Sequence, residues 1–304
     1  MPLNLPTHNS NGTAGYGKLY VVATPIGNRE DITLRALKIL KVADVVAAED
    51  TRHTGRFLKH HGIKSNLISY HEHNEKKRTP VLIEKLKAGA SVALVSNAGT
   101  PVLSDPGYRL IKSAIQNHIE VTPIPGVSAA IAALSVSGLP TDSFVFIGFP
   151  PKKKAKRRKL FDTLATVSRT LIFYESPRRI LKLVEEIYSV MGDRPAVISR
   201  EMTKLHEEFT RGWLSQMLDH LQQGHEIRGE CTLLVGGDQG DPAASLASMM
   251  DELNQGLKKK DAPVSRLSKD LARRHGIPRR VVYQEALKIK KSAKSRNRRS
   301  GPGF

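Results

Sequence analysis

The chain has 304 residues, 39% hydrophobic and 25% charged, an ordinary balance for a globular protein long enough to bury two cores. No apolar run approaches the roughly 20 residues of a membrane helix, and the single cysteine, Cys231, excludes an intrachain disulfide or a multi-cysteine metal site. The net charge of +19 is gathered in two segments, seven cations in Lys152–Lys159 and sixteen Lys and Arg against three acids in Lys258–Phe304, which favours a nucleic-acid partner over merely solvated tails.

Residues 1–17 are rich in Asn, Pro, Thr and Gly and lack a charged start followed by an apolar stretch. They read as a disordered tail rather than a signal peptide, and a cytoplasmic location is expected. From Lys18 the pattern alternates strand and helix. Strands are expected at Lys18–Val22, Val45–Ala47, Leu67–Tyr70, Ser91–Val95 and Ile119–Thr122. Between them lie a helix capped by Asp31, one from Thr51 to Gly62, one from Thr79 with Pro80 in its first turn, and one over Tyr108–Gln116. Such alternation implies a parallel sheet covered on both faces.

A second α/β unit, with a mixed sheet, is expected from Phe144–Phe149 onward. The basic run follows, then a helix near Leu160–Thr166 and strands around Thr170–Tyr174, Ala196–Ile198, Glu208–Arg211 and Glu230–Val235. Trp213 reads as a core or dimer-interface residue. Two helices separated by a His-Gly-Ile-Pro turn close the chain as a helix-turn-helix-like module, with Leu267 and Leu271 on one face of the first and Val282, Ala286 and Leu287 supporting the second. The expected division is a tail (1–17), an N-terminal α/β domain (18–141), a second α/β domain (142–238), a linker (239–262), the helical module (263–291) and a disordered basic tail (292–304).

Ligands of open parallel sheets sit beyond the carboxyl ends of the strands. Four unusual loops fall there: TPIGN at 24–28, AEDTRHTG at 48–55, SNAGTPVLSDPG at 96–107 and PIPGVSA at 123–129. Prolines stiffen the third loop and glycines permit close approach, but no Lys or Arg lies between Asn97 and Tyr108. That disfavours a triphosphate and suits a neutral or cationic adenosyl ligand.

Seven segments in order carry a resemblance. VVATPIGNREDITLRAL, VVAAEDTRHTGRFLKHHGI, SNAGTPVLSDPG, TPIPGVSAAIAAL, FIGFPPKKKAKR, FYESPRR and GECTLLVGG together resemble the tetrapyrrole-methylase superfamily. More closely they resemble its bacterial branch that methylates the ribose 2′-oxygen of a cytidine in small-subunit (16S) ribosomal RNA. The resemblance implies two α/β domains with S-adenosylmethionine in the cleft between them, a homodimer and no metal. It implies cofactor contacts from Ile26 and Gly27, from Ala98, Gly99, Thr100 and Leu103, from Ser128 and Ala129, and from Tyr174, Glu201 and Cys231. Relatives acting on other substrates often carry Gly-Asp-Pro where this chain has Gly99-Thr100-Pro101.

Methyl transfer needs alignment, exclusion of water and help with the hydroxyl proton. The loops offer Glu49, Asp50, Glu175 and Glu201 for the proton, and Arg52, Arg178 and Arg200 for phosphate or charge. Asp50, Arg52 and Glu175 are the expected catalytic set. Equally, Asp50 caps the next helix and pairs with Arg52. RNA contacts are expected from Lys152, Lys153, Lys154, Lys156, Arg157 and Arg158, and from Arg279 and Arg280 in the final module. His53, His60, His61, His71 and His73 read as polar surface residues rather than metal ligands. Two other readings stand beside the leading one: a same-fold enzyme for a tetrapyrrole or protein, and a nucleic-acid-binding regulator with an inactive body.

Overall fold

Val45–Ala48 and Val92–Val95 are buried along their whole length, as strands covered on both faces must be. In the computed structural model, which describes residues 15–223, 229–240, 242–258, 263–275 and 279–299, they are β2 and β4 of a five-stranded parallel sheet. Its order is β3-β2-β4-β1-β5, with β1 at Leu19–Val22, β3 at Leu67–Ser69 and β5 at Val121–Ile124. Helices α1 (Leu34–Val42) and α2 (Thr51–His60) bury Ala36, Ile39, Leu40 and Leu58 on one face. Helices α3 (Glu75–Lys87) and α4 (Tyr108–Gln116) bury Leu82, Leu86, Leu110 and Ala114 on the other. Crossovers that pass over β4 and β1 bring the loops after β1, β4 and β5 to one carboxyl edge.

The second lobe is a mixed sheet, as expected. Its order is β6-β7-β10-β8-β9, built from Phe144–Gly148, Thr170–Glu175, Cys231–Val235, Pro195–Arg200 and Glu208–Trp213. Only β6 and β7 are parallel; the other pairs are antiparallel. Helix α5 (Ala129–Ser137) joins the lobes, packing Ala130, Ala133 and Leu134 against Ile172, Val197 and Leu234. The Tyr174 hydroxyl accepts from the Ala130 N–H at 3.0 Å, so a side chain of the second sheet caps a helix of the first lobe. The sheet is flanked by α6 (Lys154–Leu164), α7 (Pro177–Met191) and α8 (Leu214–Gln222).

Several expectations need correction. Helix α3 begins at Glu75, not Thr79: Asn74 accepts from the His71 N–H and donates to the Ser69 carbonyl, a turn that starts the helix early and leaves Pro80 in its interior. Strand β5 lies two residues later than expected, with Pro123 tolerated because β5 is an edge strand. The basic run does not precede α6 but forms its first turns. Trp213 is 48% exposed at the end of β9, so it is no core residue.

By internal contact the two lobes, through Gly236, form one compact unit, and Thr166–Ser168 with the chain from Gly237 onward form a second. The stretch 239–262, expected as a linker, carries α9 (Pro242–Lys258). Its Met249 and Leu253 share a core with Leu271 of α10 (Val264–His275) and with Val282 and Ala286 of α11 (Arg279–Arg299). The module is therefore three helices rather than two, Leu287 is exposed, and α11 runs through much of the expected tail. Residues 1–14 and 300–304 of the two expected tails lie outside the described residues. Among the described residues no helix is long and apolar enough to cross a membrane.

Candidate active site

The loop after β4 is tied down before it can serve a ligand. Gly99 and Thr24 exchange both backbone hydrogen bonds at 2.9 Å, which stitches the loops after β1 and β4 together. Gly99 therefore has no free amide to offer, and the loop's contribution shifts to its neighbours. The Thr100 hydroxyl donates to the Val127 carbonyl at 3.0 Å, fixing the loop after β5 against it. Gly107 turns the chain at φ +135°, where a Cβ would also meet Leu94 at 2.7 Å. At Gly27 a Cβ would fall 2.5 Å from Lys204, and the adjacent Asn28 N–H donates to Thr203, so the first loop lies directly against the second lobe.

Between the lobes these loops enclose a cavity of about 520 Å³. It is lined by Ile26, Ala98, Gly99, Thr100 and Leu103, by Ser128 and Ala129, and by Tyr174, Glu175 and Cys231. With Glu49, eleven of the residues singled out by sequence thus meet in one place. The lining also contains Asp105, Glu230, Asn97, Ser104 and Phe149, and no lysine, arginine or histidine.

Burial, with the negative charge of Glu49 behind it, pushes the Asp105 carboxyl up to about 6. Burial pushes the Cys231 thiol up to about 12, so it is a neutral wall and not a nucleophile. Glu175 is fixed: its Oε1 accepts from the Ser176 N–H and from Arg179 Nε, both at 2.7 Å.

A second cavity, about 600 Å³, adjoins the first and shares Ile26, Asn97, Ala98 and Glu230 with it. Gly27 and Asp50 line this one. Asp50 Oδ1 caps α2, accepting from the Arg52 and His53 N–H groups at 2.8 and 3.3 Å, and the Arg52 N–H in particular holds its carboxyl below the usual range. Arg52 lines neither cavity; its side chain is 89% exposed. Glu201 lines neither, because it turns back to Lys204 at 2.9 Å and to the Glu230 N–H at 3.2 Å.

The expected RNA contacts also separate. Lys152, Lys153, Lys154 and Lys156 are exposed. Arg157 is instead clamped to Glu186 at 2.5 and 2.6 Å, and Arg158 pairs with Asp162 at 3.1 Å. Arg279 donates to Ser265 at 2.9 Å and, with Arg280 and Tyr283, lines a cleft of the helical module. Sequence reasoning passed over Asp105, Phe149, Arg29 and Arg56. Asp105 alone left a trace, as the one acid in an otherwise uncharged proline-rich loop.

The arrangement of a parallel lobe and a mixed lobe is shared with solved methyltransferases. Uroporphyrin-III C-methyltransferase of Thermus thermophilus, solved as a complex with S-adenyl homocysteine, superposes with a TM-score of 0.51 at 18% identity, covering 72% of this chain and 97% of that one. The chain matches the model for tetrapyrrole (corrin/porphyrin) methylases over residues 18–218, and it belongs to that family. Its curated relatives include ribosomal RNA small subunit methyltransferase I of Micromonospora olivasterospora, 42% identical over 90% of this chain and 87% of that protein. The protein of the same name from Synechocystis is 44% identical over 90% of this chain and 98% of its own.

Proposed function

We propose that this protein is an S-adenosylmethionine-dependent methyltransferase whose substrate is small-subunit ribosomal RNA, modified at the ribose 2′-hydroxyl of a cytidine. It acts in the cytoplasm as a homodimer. The relatives named above support the substrate class. The observation that carries the donor is the 520 Å³ cavity, which holds four carboxylates and no cation in its lining, although Glu175 and Glu230 are paired with Arg179 and Lys204 outside it. Those residues suit a ligand bearing an ammonium and a sulfonium and would repel a polyphosphate.

When bound, the donor supplies a methyl group on a positively charged sulfur. Ile26, Ala98, Thr100, Leu103, Ser128, Ala129, Tyr174 and Cys231 hold it and exclude water. The hydroxyl proton must also leave. Glu175 is committed to Arg179 and Asp50 to its helix cap. Glu49 accepts from the Asn97 N–H at 3.2 Å and stands behind Asp105. Asp105 forms no ion pair among the described residues, faces the cavity and has its carboxyl pushed up to about 6, so we assign it as the acceptor. Arg52 has no part in the step.

The test is tritiated-methyl transfer from the donor to small-subunit RNA, followed by mass-spectrometric mapping of the product. Label in a cytidine 2′-O-methyl group is expected. Label only in a small molecule, or none, overturns the reading.

A further inference from the structure

The two adjoining cavities have opposite electrical character. The donor cavity holds carboxylates only; its neighbour is lined by Arg29, Arg56, Lys204 and His53. Two acids also line the neighbour, and both are occupied. Asp50 is used at the α2 cap, and Glu230 pairs with Lys204 at 3.4 Å. Lys204 is in turn committed to Glu201 and Glu230. That leaves Arg29 and Arg56, both exposed and neither in an ion pair among the described residues.

Their placement follows from local structure. Arg29 opens the short 3-10 turn Arg29–Asp31, whose start is fixed by the Asn28 side chain accepting from the Glu30 N–H. Arg56 lies on α2 three residues after His53, and Phe57 is four after it, so all three share the helix face that lines the cavity. Arg52, one turn before Arg56, is 89% exposed and lines neither cavity. Burial, His60 and then Arg29 hold His61 below its ordinary value, disfavouring a further positive charge.

We infer that Arg29 and Arg56 form a phosphate clamp that seats the target nucleotide of a single-stranded RNA in this second cavity, its ribose facing the donor where the two cavities meet at Ile26, Asn97, Ala98 and Glu230. This rests on the RNA-methyltransferase reading and assigns the site on which it acts. Arginine forks suit phosphate oxygens. Half-buried Phe57 supplies an apolar surface in the same cavity.

The test replaces Arg29→Gln and Arg56→Gln, singly and together, in the full chain. The probe is a fluorescent single-stranded RNA of small-subunit sequence, with affinity measured by anisotropy across a salt series. Each single variant should weaken binding about tenfold and lower the slope of log K against log salt by about 0.7, the share of one phosphate contact. Arg56→Lys should keep most of the slope, because it keeps the charge. Calorimetric binding of S-adenosylhomocysteine should be unchanged and reports that the fold is intact. RNA affinity and slope equal to the parent's, or an effect on S-adenosylhomocysteine affinity instead of RNA affinity, overturns the clamp. Methyl transfer by the unmodified protein is read in parallel. A protein that binds RNA through both arginines yet transfers no methyl refutes the proposed function and leaves the clamp standing.

Discussion

Asp105 sets two demands against each other. Its folded value, about 6, lies above the ordinary carboxylate value of 3.8, so the folded state holds the proton more tightly than the unfolded chain does. The stability it contributes is fully present below pH 4 and is lost as pH rises through 6. Asp105→Asn removes that loss. Urea midpoints of variant and parent should coincide near pH 4, and the variant's should be the higher at pH 8. Activity runs the other way. As proton acceptor Asp105 must be ionised, so turnover should rise with pH, reach half its plateau near 6 and level off about a unit above, the whole profile moving down once the donor's positive charge is nearby. Asparagine there should cost at least about 100-fold in kcat with S-adenosylhomocysteine binding retained. Equal turnover by the variant would remove Asp105 from the mechanism. Such exchange of stability for reactivity is common at functional sites.

Helix α6 shows how one charged run serves two purposes. Arg157 is only 13% exposed in its side chain, and it bonds both Glu186 and the Pro151 and Lys152 carbonyls. It pins α6 to α7 and fixes the loop between Phe149 and the helix. Arg157→Ala should therefore lower stability by about 2 kcal/mol, the scale of charge-assisted hydrogen bonds. The triple change Lys152→Ala, Lys153→Ala and Lys156→Ala should leave the thermal midpoint in place and lower the RNA salt slope by about 2. If the lysine variant melts early or keeps its full slope, the division of labour is wrong.

The sequence alone hides that division, because Glu186 lies 29 residues away and only the fold brings it to Arg157. The strands were legible for the opposite reason. Val45–Ala48 and Val92–Val95 are apolar throughout because both faces of their sheet are covered. The donor loops were legible because glycine and proline mark the strand ends where they must lie. Pro80 misled because proline usually opens a helix, whereas here the Asn74 turn opens it. Asp105 carries only a faint local mark, as the one acid of its loop, and Arg56 carries none. Burial beside Glu49 distinguishes the first, and Arg56 lines the cavity while Arg52, one turn earlier, is 89% exposed.

At the scale of the whole molecule, the chemistry lies in one compact unit, while RNA affinity is shared between that unit and the other. The donor cavity and its neighbour draw every lining residue from the unit ending at Gly236. The second unit has its own core of Met249, Leu253, Leu271, Val282 and Ala286, and the sixteen cations of Lys258–Phe304 belong to it. A chain ending at residue 240 should therefore fold and bind S-adenosylhomocysteine as the full chain does. Its RNA affinity should fall, and most at low salt, because the lost energy is counterion release. If four phosphate contacts are lost at about 0.7 each, the full chain's advantage should shrink roughly fiftyfold between 50 and 200 mM salt. With RNA saturating, kcat should change less than about threefold, since no group of the second unit lines either cavity. A shortened chain that matched the parent's RNA affinity at 50 mM salt would move the polyanion contact onto Lys152–Lys156 and the arginine clamp alone. One that bound RNA normally but lost kcat would place a group of the second unit at the reacting ribose.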